Sequence, residues 1–334
     1  MENQRDKWTS EASPAGSTVI IVSWNARYYL DKCLASIYTH TGANNRQIIV
    51  VDNASVDGSP ELVRESYPSV NLICLESNLG FAKANNIGIR ESRGKYLFLI
   101  NSDVEVKSDF IVPLQDFMER SPDIGLLGPR MVNADGNLQR SCMGFPTLWN
   151  MFCRSFALDT IFPNSTLFCG HLMTHWDHAS ARDVEVVNGC FWVVRTDALR
   201  DVGPLDEDYF FYGEDMDWCK RFHDKGWRVF YYPAVEAIHY GGASAVNAPV
   251  KYHVELHRAN MQYYRKHHST AAYFAFYILT VIHPVVRIAV HGMAHLLGIG
   301  SKEETAYKVE RSIVCLKMLL NVGERRADER SGVS

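Results

Sequence analysis

Two short stretches of this chain join residue types that do chemistry when they share a cleft. The first is Asn101-Ser102-Asp103, which ends the apolar run Tyr96-Leu-Phe-Leu-Ile100. A strand that buries successive apolar side chains and then presents a carboxylate leaves a charge in need of a partner, and a hard divalent cation bridging two phosphates suits it. The plain alternative is an Asp that caps the next turn. The second stretch is Glu214-Asp215, in the first turn of a helix read over residues 214–225. Backbone N–H groups there favour carboxylates, so each acid serves either as a proton acceptor or as compensation of the helix dipole. Asp217 faces Arg221 at i+4 and reads as a structural pair.

The elements that must hold these residues can be read from the apolar runs. Residues 18–23, 47–52, 70–75 and 96–100 read as buried strands, with helices over 28–38, 58–66 and 82–92 between them. Strands alternating with helices of this length predict right-handed crossovers and a mostly parallel sheet, so the fold class is α/β. Each strand then delivers polar residues to the same edge: Ser23-Trp24-Asn25, Asp52-Asn53-Ala-Ser-Val-Asp57, Asn78-Leu-Gly-Phe81 and Asn101-Ser102-Asp103. One such cluster is an ordinary turn; four at the carboxyl edge of one sheet make a pocket. No Gly-x-Gly-x-x-Gly or Gly-Lys-Ser/Thr loop follows the first strand, which argues against a dinucleotide oxidoreductase or a P-loop NTPase.

Composition narrows the class further. With 334 residues, 47% of them hydrophobic, the chain has material for a proper core, and a net charge of −4 argues against nucleic acid as a partner. Eight cysteines without a Cys-x-x-Cys pair read as reduced core thiols of a cytoplasmic protein. Residues 1–17 are polar, read as mobile, and contain no secretory signal. The region 143–182 shows weak periodicity. Cys169, His171, His175 and His178 lie close together there, but regular ligand spacing is lacking, so a satisfied loop is preferred to zinc.

Downstream, residues 184–195 read as one strand interrupted by Gly189, which marks a bulge or a close approach of backbone to ligand. A strand over 228–232 follows the 214–225 helix and leads to His239. By this point the chain resembles the family 2 glycosyltransferases, inverting enzymes of GT-A fold, over roughly residues 18–245, and among them the rhamnosyltransferases of bacterial cell-envelope polysaccharide assembly. The carrying blocks are Val22-Ser-Trp-Asn25, Val51-Asp-Asn-Ala-Ser55, Asn78-Leu-Gly-Phe81 with Asn85-Asn86, Asn101-Ser-Asp103, Asn188-Gly189 with Phe191-Trp192 and Arg195, Phe211-Tyr-Gly-Glu-Asp215 with Asp217, and His239.

The resemblance implies a single nucleotide-binding domain over 18–245 with a helical appendage over 246–320 and a mobile tail over 321–334. It assigns Asp52 to the base N–H of a uridine or thymidine nucleotide, Ser23, Trp24 and Asn25 to the base and ribose pocket, and Asn53, Asn78, Asn85, Asn101, Ser102, Gly189, Trp192 and Glu214 to the donor site. Asp103 and His239 would hold Mg²⁺ or Mn²⁺ against the donor diphosphate, and Asp215 would be the general base. Asn101 stands where relatives have the first acid of the metal motif. An amide brings no charge, so metal would be held weakly without nucleotide. The donor expected is dTDP-β-L-rhamnose, with a UDP-hexose as alternative, and the acceptor a hydroxyl of a saccharide or of a polyprenyl-diphosphate-linked saccharide. Rival classes are a sugar-1-phosphate nucleotidyltransferase, which should carry a Gly-rich basic loop after the first strand, and a nucleotide-sugar-binding protein without turnover.

Residues 246–320 read as helical. Lys251, His253, His257, Arg258, Arg265, Lys266, His267 and His268 make a basic stretch, either a solvated face or a receiver of a phosphorylated acceptor. Residues 271–282 are an apolar run too short to span a bilayer, and Pro284 interrupts the helical pattern beyond it. His283, Arg287, His291 and His295 recur every fourth residue and draw one polar stripe. That pattern predicts peripheral membrane contact through 271–299, at the cytoplasmic face of the plasma membrane; docking on its own domain or on a second subunit has the same signature. A further amphipathic helix is read over 302–320.

Overall fold

In the computed structural model, residues 16–41, 46–241 and 249–320 are described, with the side chains of 249–253 excepted. Of the N-terminus expected to be mobile over 1–17, residues 1–15 lie outside the described residues, as do the tail from 321 and the side chains of Lys251 and His253, whereas Ser17 is buried at the start of the first strand. The described residues form two compact units: those up to 145 with 176–241, and 146–175 with 249–320.

The first unit is built on β1 (Ser17–Ser23), α1 (Arg27–Thr41), β2 (Gln47–Asp52), α2 (Ser59–Ser66), β3 (Asn71–Cys74), α3 (Phe81–Glu91) and β4 (Tyr96–Asn101). The four strands are parallel in the order β3-β2-β1-β4. Val19, Ile21, Phe98 and Ile100 bury one face against Leu30, Leu34 and Ile37 of α1, while Ile49 and Val51 pack against Ala84 on the other. Both faces are covered, which is why these strands read as continuous apolar runs. The register aligns their ends, pairing Ser23 with Asp52 and Val22 with Asn101.

The sheet continues through β5 (Val104–Val106), β6 (Ile124–Val132) after α4 (Ile111–Arg120), and β7 (Leu138–Gln139), which pairs with β6. It is completed by β9 (Arg182–Asp183), β11 (Phe191–Arg195) and β12 (Arg228–His239), giving the path β3-β2-β1-β4-β11-β6-β12-β5. The strand expected over 184–195 is two strands in different sheets. β10 (Val186–Val187) pairs with β8 (Cys142–Met143) in a separate ladder, and β11 lies antiparallel to β4. The chain changes sheets at residues 188–190, where Asn188 N donates to Ser141 O and Cys190 O accepts from Asn101 N. A Cβ on Gly189 would stand 3.0 Å from the Trp192 ring, so glycine permits the crossing. α7 (Thr196–Val202) and α8 (Glu214–Asp224) follow, and β12 runs on to His239, well past the end expected at residue 232.

The second unit combines α5 (Leu148–Ser155) and α6 (Leu158–Ile161) with α9 (Pro249–His267), α10 (Thr270–Leu296) and α11 (Lys302–Leu320). The helical appendage read over 246–320 thus shares its unit with residues 146–175. Pro284 does not break α10, which runs unbroken for 27 residues. Phe276, Thr280 and Pro284, four residues apart, form the buried stripe of that helix, and this packing offsets the backbone hydrogen bond that proline forfeits. By length and composition α10 is apolar enough to cross a membrane. Its polar residues point inward: Arg287 donates to Arg154 O and His295 bonds to Thr305, whereas Phe274, Ile278, Val285, Met293 and Leu296 are exposed.

Candidate active site

Asp103 follows β4 directly, and β5 then turns the chain antiparallel to the end of β12, placing Val104 opposite His239. That register brings His239 Nε2 to 3.2 Å from Asp103 Oδ1. His239 Nδ1 lies 2.7 Å from Oε1 of Gln139, whose Nε2 donates to Asn133 Oδ1. Gln139 therefore presents an acceptor, so Nδ1 carries the ring proton and Nε2 turns its lone pair towards the carboxylate. Two acceptors facing each other require a proton or a cation between them. The N/O pair fits a divalent ion, Mn²⁺ better than Mg²⁺. Among the described residues no cluster of three or more His, Cys, Asp or Glu side chains is assembled to hold a metal, so the remaining ligands would be diphosphate oxygens and water.

A second group lines the ends of β1 and β2. Asp52 is buried; its Oδ2 accepts from Ser55 N, while Oδ1 has no hydrogen-bond partner among the described residues, and neither has the Ser23 hydroxyl. A buried carboxylate oxygen without a donor is costly, so a ligand N–H would be strongly favoured there. Asn25, in left-handed backbone at φ 49°, accepts from Val56 N and donates from its own N–H to Ser55. Trp24 is half exposed beside it.

The third group opens α8. Tyr212 and Gly213 both adopt positive φ, 69° and 86°, and this sharp corner starts the helix at Glu214. Glu214 is buried with Oε2 lacking a partner among the described residues. Burial pushes its carboxyl well above the usual range, and the Asp215 charge adds to this. Burial likewise raises Asp215, whose Oδ1 accepts from Met216 N. Since folding raises the Glu214 pKa, its ionisation costs stability as pH rises from the ordinary carboxylate range towards the raised value. Glu214→Gln should therefore melt about 3 °C or more above the parent at pH 9 and no higher at pH 4. A pH-independent difference in a calorimetric series would remove this account.

One residue ties the acids together. The Cys190 thiol is driven up by burial to about 12, with the charges of Asp103 and Asp215 both adding to the shift. Both carboxylates thus lie within electrostatic reach of Cys190, which ends the 188–190 crossing. Asp217, fully buried, pairs with Arg221 at 2.8 Å and stays out of the cleft, as its spacing predicts.

Other expected donor contacts turn inward. Asn53 donates to Asn78 Oδ1 and Gly80 O and accepts from Leu79 N, so Asn53 and Asn78 brace the 78–81 loop. Asn85 is buried and donates to Phe81 O. Asn101 is half-buried and Ser102 buried at the end of β4. Trp192 departs furthest from its expected role: it is fully buried, donates to Val187 O and packs edge-on against Phe81 and Trp218 beneath Gly189. Trp192→Ala should cost about 3–5 kcal/mol, read as a lower urea midpoint. A raised donor KM at unchanged stability would instead make Trp192 a ligand contact.

Gln139, Cys190 and the Lys32–Tyr240–Glu105 chain carry no signal of their own in the sequence pattern. Lys32 donates to the Tyr240 hydroxyl, which donates to Glu105 at 2.6 Å, and Tyr240 N donates to Asp103 O. Adjacency to His239 is the one pointer to Tyr240; Gln139 lies in a two-residue strand without periodicity. In the Cys/His cluster Cys169 donates to Asp159 O and Phe162 O and His178 stacks on Trp176, while His175 Nδ1 and His178 Nε2 are buried without a hydrogen-bond partner among the described residues. All eight cysteines are free thiols.

Residues 18–175 match the family described as "Glycosyl transferase family 2". The chain carries a family 2 glycosyltransferase domain. Its relatives include the N-acetylglucosaminyl-diphospho-decaprenol L-rhamnosyltransferase of Mycobacterium tuberculosis, 28% identical over 262 residues, 75% of this chain and 84% of that one. The dTDP-rhamnosyl transferase RfbF of Shigella flexneri is 24% identical over 249 residues, 74% of this chain and 76% of its own. In fold the chain is similar to the mannosyltransferase PcManGT of Pyrobaculum calidifontis, solved with GDP-Man and Mn²⁺, at TM-score 0.53 and 15% identity over 98% of this chain and 93% of that one. It is also similar to S. aureus TarS 1-349 with UDP-GlcNAc, at TM-score 0.51 and 16% identity over 94% and 83%.

Proposed function

We propose that this glycosyltransferase moves L-rhamnose, with inversion, from dTDP-β-L-rhamnose to a hydroxyl of a saccharide carried on a polyprenyl diphosphate. The observation that carries the reading is the 3.2 Å approach of His239 to Asp103 at the end of β4, a carboxylate–imidazole pair suited to a diphosphate-bound cation. In this scheme Asp52 Oδ1 accepts the base N–H, and Ser23 and Asn25 close the nucleoside pocket. Asp103 and His239 would hold the divalent ion, which would supply charge to offset that on the departing nucleoside diphosphate without proton transfer. Asp215 takes the acceptor's hydroxyl proton as its oxygen bonds to the anomeric carbon. The bond from that carbon to the diphosphate oxygen breaks, and its electron pair leaves with the nucleotide. Glu214 keeps a second carboxyl near neutral beside the base, which limits repulsion within the pair.

The donor and acceptor rest on the two rhamnosyltransferase relatives. The outward apolar side chains of α10, with Trp149, Phe152 and Phe156 exposed on or just after α5, support peripheral contact with the cytoplasmic face of the plasma membrane. The test is a panel of dTDP- and UDP-sugars with Mn²⁺, offered with a polyprenyl-diphosphate-linked N-acetylglucosamine and followed by mass spectrometry. The reading expects a deoxyhexose increment from dTDP-rhamnose alone. Transfer from a UDP-hexose would replace the donor, and no binding of α10-bearing protein to floated liposomes would remove the membrane contact.

A further inference from the structure

The helical unit contains a pocket of its own, of about 120 Å³, roughly ten times the minimum that holds one water. Arg154 of α5, His257 and Asn260 of α9, His283 and Arg287 of α10 and Arg311 of α11 line it, and no acidic residue does so. A cluster of cationic groups drawn from four helices opposes folding through mutual repulsion. Burial and the charges of His257, Arg154, Arg287 and Arg311 push His283 down to about 3, so this imidazole stays neutral. The Arg154 guanidinium is also pressed downward, by burial first and then by Arg287 and Arg311, with Asp159, outside the lining, acting the other way. Part of this arrangement is structural, since Arg287 donates to the Arg154 carbonyl near the end of α5. That bond occupies one nitrogen of one guanidinium. His283 Nδ1 and Asn260 Oδ1 remain buried without a hydrogen-bond partner among the described residues.

Guanidinium groups converging on a small cavity match phosphate geometry, because each presents parallel N–H donors. Phe276, Met151 and Leu256 supply an apolar wall to the same cavity. We propose that this pocket holds the diphosphate of a polyprenyl diphosphate, the chemistry of the acceptor. The assignment rests on the lipid-linked acceptor proposed above. Arg154 and Arg287 bind the anion, a ring N–H of the neutral His283 donates to it, and the first isoprenoid unit meets the apolar wall.

The test uses the full chain, titrated with farnesyl diphosphate, with inorganic diphosphate and with phosphatidylcholine vesicles containing phosphatidylglycerol. Arg154→Gln and Arg287→Gln should each weaken farnesyl diphosphate binding about tenfold or more, the loss of one charge-assisted hydrogen bond. Arg154→Lys should fall between these and the parent, and serves should the glutamine variants fail to fold. Nucleotide affinity, measured in the same proteins, should stay unchanged. Equal farnesyl diphosphate affinity in parent and variants overturns the proposal. So does inorganic diphosphate binding as tightly as farnesyl diphosphate, which would assign the pocket to a free anion, or an equal loss on phosphatidylglycerol vesicles, which would assign it to bulk lipid. If the variants lose farnesyl diphosphate while the parent glycosylates only lipid-free acceptors, the acceptor reading falls and the pocket stands. If the parent glycosylates the lipid diphosphate and the variants do so with unchanged KM, the pocket falls and the acceptor reading stands.

Discussion

Asp215→Asn is expected to slow sugar transfer about 10²–10⁴-fold, the range a positioned general base supplies, with nucleotide affinity within about twofold of the parent. The expectation comes from where the side chain sits. Asp215 lies in the first turn of α8, its Oδ1 tied to Met216 N, beside a Glu214 that burial keeps close to neutral. Because burial raises the Asp215 pKa, the base is protonated, and transfer slow, well above the pH at which an ordinary surface carboxylate has ionised. The rate should therefore climb with pH through that raised value and then level off, and the climb should be absent from the residual activity of Asp215→Asn. Single-turnover transfer measured from pH 4.5 to 9 decides the matter. Unchanged transfer in the variant, or an unchanged pH profile, would remove Asp215 as the base.

Exhaustive chelation is expected to lower transfer by about two to three orders of magnitude, the kinetic equivalent of several kcal/mol of charge stabilisation, and Mn²⁺ to restore it. In the proposed site Asp103 and His239 would be the two protein ligands, and Asn101 adds no charge to them. Metal binding should accordingly be weak alone and tighten when nucleoside diphosphate is added. Gln139→Ala would free the His239 ring to turn and change tautomer. Orienting partners of this kind are worth about 10–100-fold in metal affinity, so the Mn²⁺ concentration for half-maximal transfer should rise by that factor while the plateau rate is preserved. Transfer that survives chelation intact would sink the assignment of Asp103 and His239.

Much of the sheet edge is legible from residues alone. The runs ending at Ser23, Asp52 and Asn101 are buried on both faces, so they stand out as apolar stretches, and polar residues after each can be assigned to one sheet edge. Trp192 is misread from sequence because proximity to a motif glycine does not say which way an indole points; only the antiparallel pairing of β11 with β4 turns it inward. The same pairing explains why residues 184–195 look like one strand: both segments are apolar, and the change of sheet is made by backbone bonds to Ser141 and Asn101 that leave no periodic trace. Gln139 reaches His239 across 100 positions of sequence, through two residues of β7. Four-residue spacing does reveal the polar stripe of α10, but its direction, into the helical unit, depends on the partners Arg154 and Thr305.

The helical unit is assembled from two separated stretches, and this has a bearing on how the chain reaches its native state. Ser155 bonds to Leu279 and Arg154 to Arg287 across 124 and 133 positions. During synthesis α5 emerges, with Met151 and Cys153 ready for burial, long before the ribosome has made the helix that covers it. Closure of so large a loop is slow relative to local helix formation, so α5 waits as an exposed amphipathic segment. A chain truncated after residue 241 would leave it in that unfinished condition permanently, prone to self-association even though every strand of the sheet is present.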